Sequence, residues 1–284
     1  MARSLGAFNG LFSGPVKLAP KAKNVLSSAY LNPLCSVAIL HFLRLGSSQP
    51  ALIMQLILIG VVAALSATAS ATQTFANRGT VPGGWDEIQT EAQGTLSQVT
   101  NVVYGTGGTA IKATQTYDPS YTGRYHSECH HFQGYHRGDQ GFYGFAFRLQ
   151  DDWQFAPAQS YNLAQFIADF SDTGCDDFMP SSMVWIIGNQ LATRVKTNTV
   201  CSQVTTEFKN LATVSAGTWH KVEIQANWQN DNTGYYKLWF DGVKVLEEFN
   251  IPTTIDDTRE FQFRVGLYAN GWHDDGGHAG DTAV

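Results

Sequence analysis

No Asp or Glu occurs in the first 53 residues of this 284-residue chain, and only four cysteines occur in the whole of it. The cysteine spacing fits no zinc motif. A closely spaced acidic pair such as E-x-D on one strand is also missing. That weighs against a glycoside hydrolase, which needs two carboxylates across the scissile bond; Glu128 and Asp169, on different strands, are the only candidates. An excess of base is absent as well. Setting aside residues 1–71 removes five of 18 bases and no acid, leaving 13 bases against 24 acids, a balance of −11. Nucleic acid and anionic membranes are therefore not expected as partners, although a groove can be locally basic in an acidic protein.

The chain is not homogeneous. Residues 1–53 carry scattered bases and no sustained period, and read as a leader foreign to the mature protein. From Met54 the run MQLILIGVVAALSATASA has the shape of a secretory signal peptide, with small residues at Ala67, Ala69 and Ala71, so residues 54–71 are expected to be removed and the protein secreted. Its apolar part is too short for a comfortable membrane span. In a secreted chain Cys175 and Cys201 are the natural disulfide pair, bracketing SMVWIIG and the strand after it. Cys129 is left over and reads as a small core residue.

The rest, residues 72–284, is a succession of short alternating segments joined by turns. FQFRVGLYANG, Phe261 to Gly271, is the most informative. Phe261, Phe263, Val265, Leu267 and Ala269 form one apolar face, and Gln262, Arg264, Gly266, Tyr268 and Asn270 the other, a strand with period two. That second face offers a cation, amides and a phenol. In RYHSECHHF, Arg124, His126, Glu128 and His130 share a face opposite Tyr125, Ser127, Cys129 and His131. In YNLAQFIADF, Gln165 falls with Leu163, Ile167 and Asp169, against Ala164, Phe166, Ala168 and Phe170. Arg194 and Lys196 are in phase and offer a basic rim. His220, Val222, Ile224, Ala226 and Trp228 point inward by pattern, and Asp241-Gly242 marks a hairpin. Regular short strands without a repeat or linker predict an all-β fold, a single-domain, concanavalin-like β-sandwich or jelly roll.

From about Tyr117 to Gly276 these residues carry a resemblance. TYDPSYTGRYHSE, AQFIADF, GCDDFMPSSMVW, NLATVSAGTWHKVEIQANW, GYYKLWFDGVKVLEEFN and FQFRVGLYANGWHDDG together resemble the fungal glucuronan lyases of polysaccharide lyase family 20. The resemblance implies a secreted, monomeric jelly-roll enzyme that cuts an acidic polysaccharide, β-1,4-linked polyglucuronate, by β-elimination, with a structural calcium ion. It also implies His126, Gln165 and Tyr268 as the catalytic set, with Arg124, Arg264, His130 and Asn270 binding substrate. Elimination needs a base for the C5 proton and electrostatic neutralisation of the adjacent carboxylate. Gln165 with Arg124, His126 or Arg264 could supply the latter. Tyr268 could move the proton, with Arg264 four residues earlier favouring phenolate; which of His126 and Tyr268 is the base stays open. Calcium ligands are unassigned, because acid-rich turns such as that of His273, Asp274, Asp275 and His278 are usually only solvated. Residues 277–284 show no strand pattern, so the sandwich is expected to lack its last C-terminal strand. A lyase for another uronate such as alginate, or a carbohydrate-binding remnant without activity, are the alternatives.

Overall fold

The computed structural model describes residues 12–13, 16–17, 72–277 and 281–284. The expected leader and signal peptide lie almost wholly outside these residues. The described residues from Gln73 onward belong to one compact unit. Of the second, Leu18–Thr72, only Thr72 is described.

The unit is a sandwich of antiparallel sheets. The larger has seven strands, in the order Val204–Thr213, Gln190–Thr197, Phe178–Ile187, Ser160–Asp169, Phe261–Tyr268, His126–Tyr135 and Glu87–Thr90. The facing sheet is built on Val243–Phe249, Tyr235–Phe240, Trp219–Asn227 and Gln140–Arg148. Alternation puts one face of each strand into the space between sheets. Phe261, Phe263, Val265, Leu267 and Ala269 are all buried there, as are Val222, Ile224, Ala226 and Trp228. The centre is aromatic: Tyr135 stacks on Trp228 with centroids 4.0 Å apart, and Phe166 packs 5.0 Å from Phe263. Their polar tips are satisfied, Trp228 Nε1 donating to the Tyr143 hydroxyl at 2.9 Å and the Tyr135 hydroxyl meeting Thr254 Oγ1 at 2.7 Å.

Turn chemistry and cross-linking follow the sequence. Asp241 and Gly242 both have positive φ, 50° and 80°, as the tight turn between Tyr235–Phe240 and Val243–Phe249 requires. Cys175 and Cys201 are bonded, with Cα atoms 5.1 Å apart, and Cys129 is a free buried thiol that burial pushes up to a pKa of about 12.

Two expectations need correction. Leu163 is in the core, although strict alternation put it on the face of Gln165; the pairing slips between Asn162 and Ala164, and this irregularity resets the parity. Residues Thr282–Ala283, read as patternless, pair with Thr116 and Gln115 of the Ala110–Thr116 strand.

Candidate active site

The outer face of the seven-stranded sheet carries a groove of about 680 Å³. Strand register builds its floor as a single cross-strand row: Glu87 opposite His130, His130 opposite Arg264, Arg264 opposite Gln165, Gln165 opposite Met183, Met183 opposite Arg194, and Arg194 opposite Glu207. A second row sets His126 opposite Tyr268. The sequence-predicted residues Arg124, His126, His130, Gln165, Arg264, Tyr268 and Asn270 therefore all line one groove, together with Arg194 and Lys196.

Within it, Tyr268 and His126 are stacked, with centroids 4.0 Å apart. Arg124 Nη1 donates to the Tyr268 hydroxyl oxygen at 2.6 Å. Arg264, expected to be that cation, instead donates through Nε to Gln262 Oε1 at 2.9 Å and through Nη1 to Gln89 Oε1 at 3.2 Å. Four residues along a strand separate Arg264 from Tyr268 by about 13 Å, whereas Arg124 enters just ahead of the adjacent strand. Nor is the phenol shifted toward phenolate: burial raises the Tyr268 pKa, with Arg124 opposing. Because the oxygen already accepts from Arg124, its own O–H is left to donate.

His126 is held from behind. Its Nδ1 lies 2.8 Å from Glu91 Oε2, and its backbone N–H donates to the same carboxylate oxygen at 3.3 Å. Burial would raise the Glu91 pKa, but the hydrogen bonds and charge of His126 outweigh it and hold the carboxyl below its ordinary value. With Nδ1 against Glu91, the other ring nitrogen, Nε2, lies 3.8 Å from Glu128 Oε2. Gln165 is anchored rather than free: its Nε2 reaches both oxygens of the fully buried Glu128, at 3.1 and 2.8 Å. Arg264, whose hydrogen bonds go to neutral amide oxygens, is the cation nearest Gln165 in the row, with Glu128, Glu87 and Glu91 within reach of its charge.

His130 is buried, its Nδ1 3.2 Å from Glu87 Oε2 and its Nε2 without a hydrogen-bond partner. Burial, then Arg264 and His126, lower its pKa to about 3. Asn270 donates to Ser160 Oγ at 2.8 Å, while its buried Oδ1 has no hydrogen-bond partner.

Sequence reasoning missed Glu87, Gln89 and Glu91, which supply the groove wall. The signal was present as EIQTE, an alternating polar face on a short edge strand. The two hydrolase candidates do not face a common bond: Glu128 is sealed against Gln165, and Asp169 is exposed, capping Ser171 N. Among the described residues, no group of three or more His, Cys, Asp or Glu could hold a metal ion. The calcium ion implied by resemblance thus finds no such donor set, and no step below uses it. Nor does any helix among the described residues have the length and apolarity to cross a membrane.

Residues 76–283 match the family model described as polysaccharide lyase. The chain is similar to the solved endo-β-1,4-glucuronan lyase from the fungus Trichoderma reesei, at 55% identity and a TM-score of 0.71 over 75% of this chain and 91% of that one. A family 7 alginate lyase solved with substrate aligns at 12% identity and a TM-score of 0.40, over 69% and 76% of the two chains. No curated protein matches.

Proposed function

The chain belongs to the polysaccharide lyase family, and from that premise we propose that it is a secreted lyase cleaving β-1,4-linked polyglucuronate by β-elimination. The supporting observation is the pairing of His126 and Tyr268 in one groove with Arg124 and Arg264. With the uronate carboxylate against Arg264, His126 Nε2 removes the C5 proton. The electron pair forms the C4–C5 double bond as the C4–O4 bond breaks, and Tyr268 gives its hydroxyl proton to O4. Exchange with solvent then restores both groups. Glu91 fixes the His126 tautomer, and Arg124 fixes the phenol. Secretion is supported by the apolar run from Met54 and by the Cys175–Cys201 bond.

The test is the ultraviolet absorbance of the unsaturated uronate on incubating the protein with polyglucuronate and, separately, alginate. Absorbance is expected to rise with polyglucuronate. His126→Gln and Tyr268→Phe should each lower kcat about 10²–10⁴-fold. A rise with alginate alone would transfer the activity to that polymer. Near-normal turnover in His126→Gln would leave both proton transfers to Tyr268, and folded protein inert toward both polymers would refute the reading.

A further inference from the structure

The floor row continues past the reacting centre to two cations that the elimination chemistry does not use. Arg194 is three strands from Arg264, through Gln165 and Met183, about 14 Å at ordinary strand spacing. Lys196 follows two residues on, on the same face. Arg194 Nε is buried without a hydrogen-bond partner, and the Glu207 facing it is engaged by Lys209 at 2.6 Å. Lys196 Nζ is held by an amide oxygen, Gln203 Oε1, at 2.7 Å, and Gln203 Nε2 is itself held at 2.9 Å by Asp176 Oδ2. Asp176 and Gln203 flank the two halves of the Cys175–Cys201 bond, which ties this end of the groove together. Neither cation is hydrogen-bonded to a carboxylate among the described residues, although Glu207 and Asp176 lie within electrostatic reach of Arg194 and Lys196 respectively. Phe178 lines the same groove at the far end of its strand, half exposed, with the Arg264 guanidinium 5.0 Å from its ring centroid.

Resting on the lyase reading, we propose that Arg194 and Lys196 form a remote carboxylate subsite, binding a uronate residue of the polymer other than the one that loses its C5 proton. The strands of Arg264 and Arg194 lie about 14 Å apart at the backbone, and although Arg194 feels the charge of Tyr268 and Asp274, Lys196 lies farther along the strand from Tyr268, so the anion read here is assigned to a different residue of the same chain. Two consequences follow. The groove grips the polymer at a second point, which favours long chains over short ones. It also requires charge at that point, so a neutral 1,4-linked glucan gains nothing there.

Steady-state kinetics of the full chain on polyglucuronate, with Arg194→Met/Lys196→Met, test this. KM for polymer is expected to rise about tenfold, with kcat falling less than about threefold. Arg194→Lys/Lys196→Arg should keep KM near the wild-type value, which lost packing would not. Oligouronates too short to reach the subsite should show equal KM in wild type and double variant. Titration calorimetry of polyglucuronate into Tyr268→Phe, with and without the double substitution, reads binding apart from turnover and should show the same loss. Should the double variant not fold, Lys196→Met alone carries the test at this half-buried position. Wild-type turnover with unchanged KM and binding in the methionine variants would overturn the subsite alone. Absence of both turnover and binding in wild type would overturn the lyase reading and the subsite with it.

Discussion

Glu91 is the residue on which the proton chemistry depends without touching substrate. Its carboxylate lies 2.8 Å from His126 Nδ1 and so leaves Nε2 as the ring nitrogen for proton transfer. Glutamine in its place both donates and accepts, and admits the wrong tautomer. Glu91→Gln is therefore expected to lower kcat about a hundredfold while leaving KM nearly unchanged, and Glu91→Asp to recover part of it. A fall in KM-linked binding with kcat preserved would assign Glu91 to substrate instead. At this scale the sequence was readable in kind and not in pairing. The types needed, an imidazole, a phenol and guanidinium groups, stood on polar faces in RYHSECHHF and FQFRVGLY. That Arg124 rather than Arg264 meets Tyr268 depends on where the chain enters its strand, which alternation does not encode.

Among the elements, the Phe261–Tyr268 strand is constrained most tightly at Gly266. Its φ is +150°, and a Cβ there would lie 2.2 Å from the Ser127 carbonyl oxygen on the paired strand. Neither the backbone conformation nor the space admits a side chain. Gly266→Ala must push apart the two strands that carry His126 and Tyr268, so a stability loss of about 1–3 kcal/mol in urea unfolding is expected, with kcat reduced more than KM. Unchanged activity would show that the stacked pair does not depend on this close approach. Alternation revealed this strand because both its faces are chemically distinct. It misplaced Leu163 because the slip between Asn162 and Ala164 leaves no mark in composition. The edge strand Glu87–Thr90 was undervalued for its length: four residues give too little pattern to distinguish a groove wall from a wet surface.

For the molecule as a whole, the groove buries an imidazole beside Arg264 in its floor, and this links folding to pH. His130 has a folded pKa of about 3 against an ordinary 6.5, because burial and the Arg264 and His126 beside it disfavour its charged form. The folded state therefore binds fewer protons than the unfolded state between those values. Stability on this account is complete above about pH 6.5 and declines as pH falls toward about 3. Glu91, held below its ordinary pKa, adds loss in the same direction at the acid end of that window. Lys196 acts at the opposite end: burial, then Arg194, lower its pKa to about 8, so its unfavourable charge is relieved as pH rises from there. Urea unfolding across the acid window should show stability falling with pH in wild type, and a visibly shallower fall in His130→Gln, which keeps a polar side chain with nothing to titrate. Equal slopes in the two proteins would mean that His130 takes up its proton in the fold and that Glu87 or solvent reaches it. A shallower slope, with the Glu91→Gln slope close to wild type, would place the main acid sensitivity of the fold on an imidazole in the floor of its own binding groove.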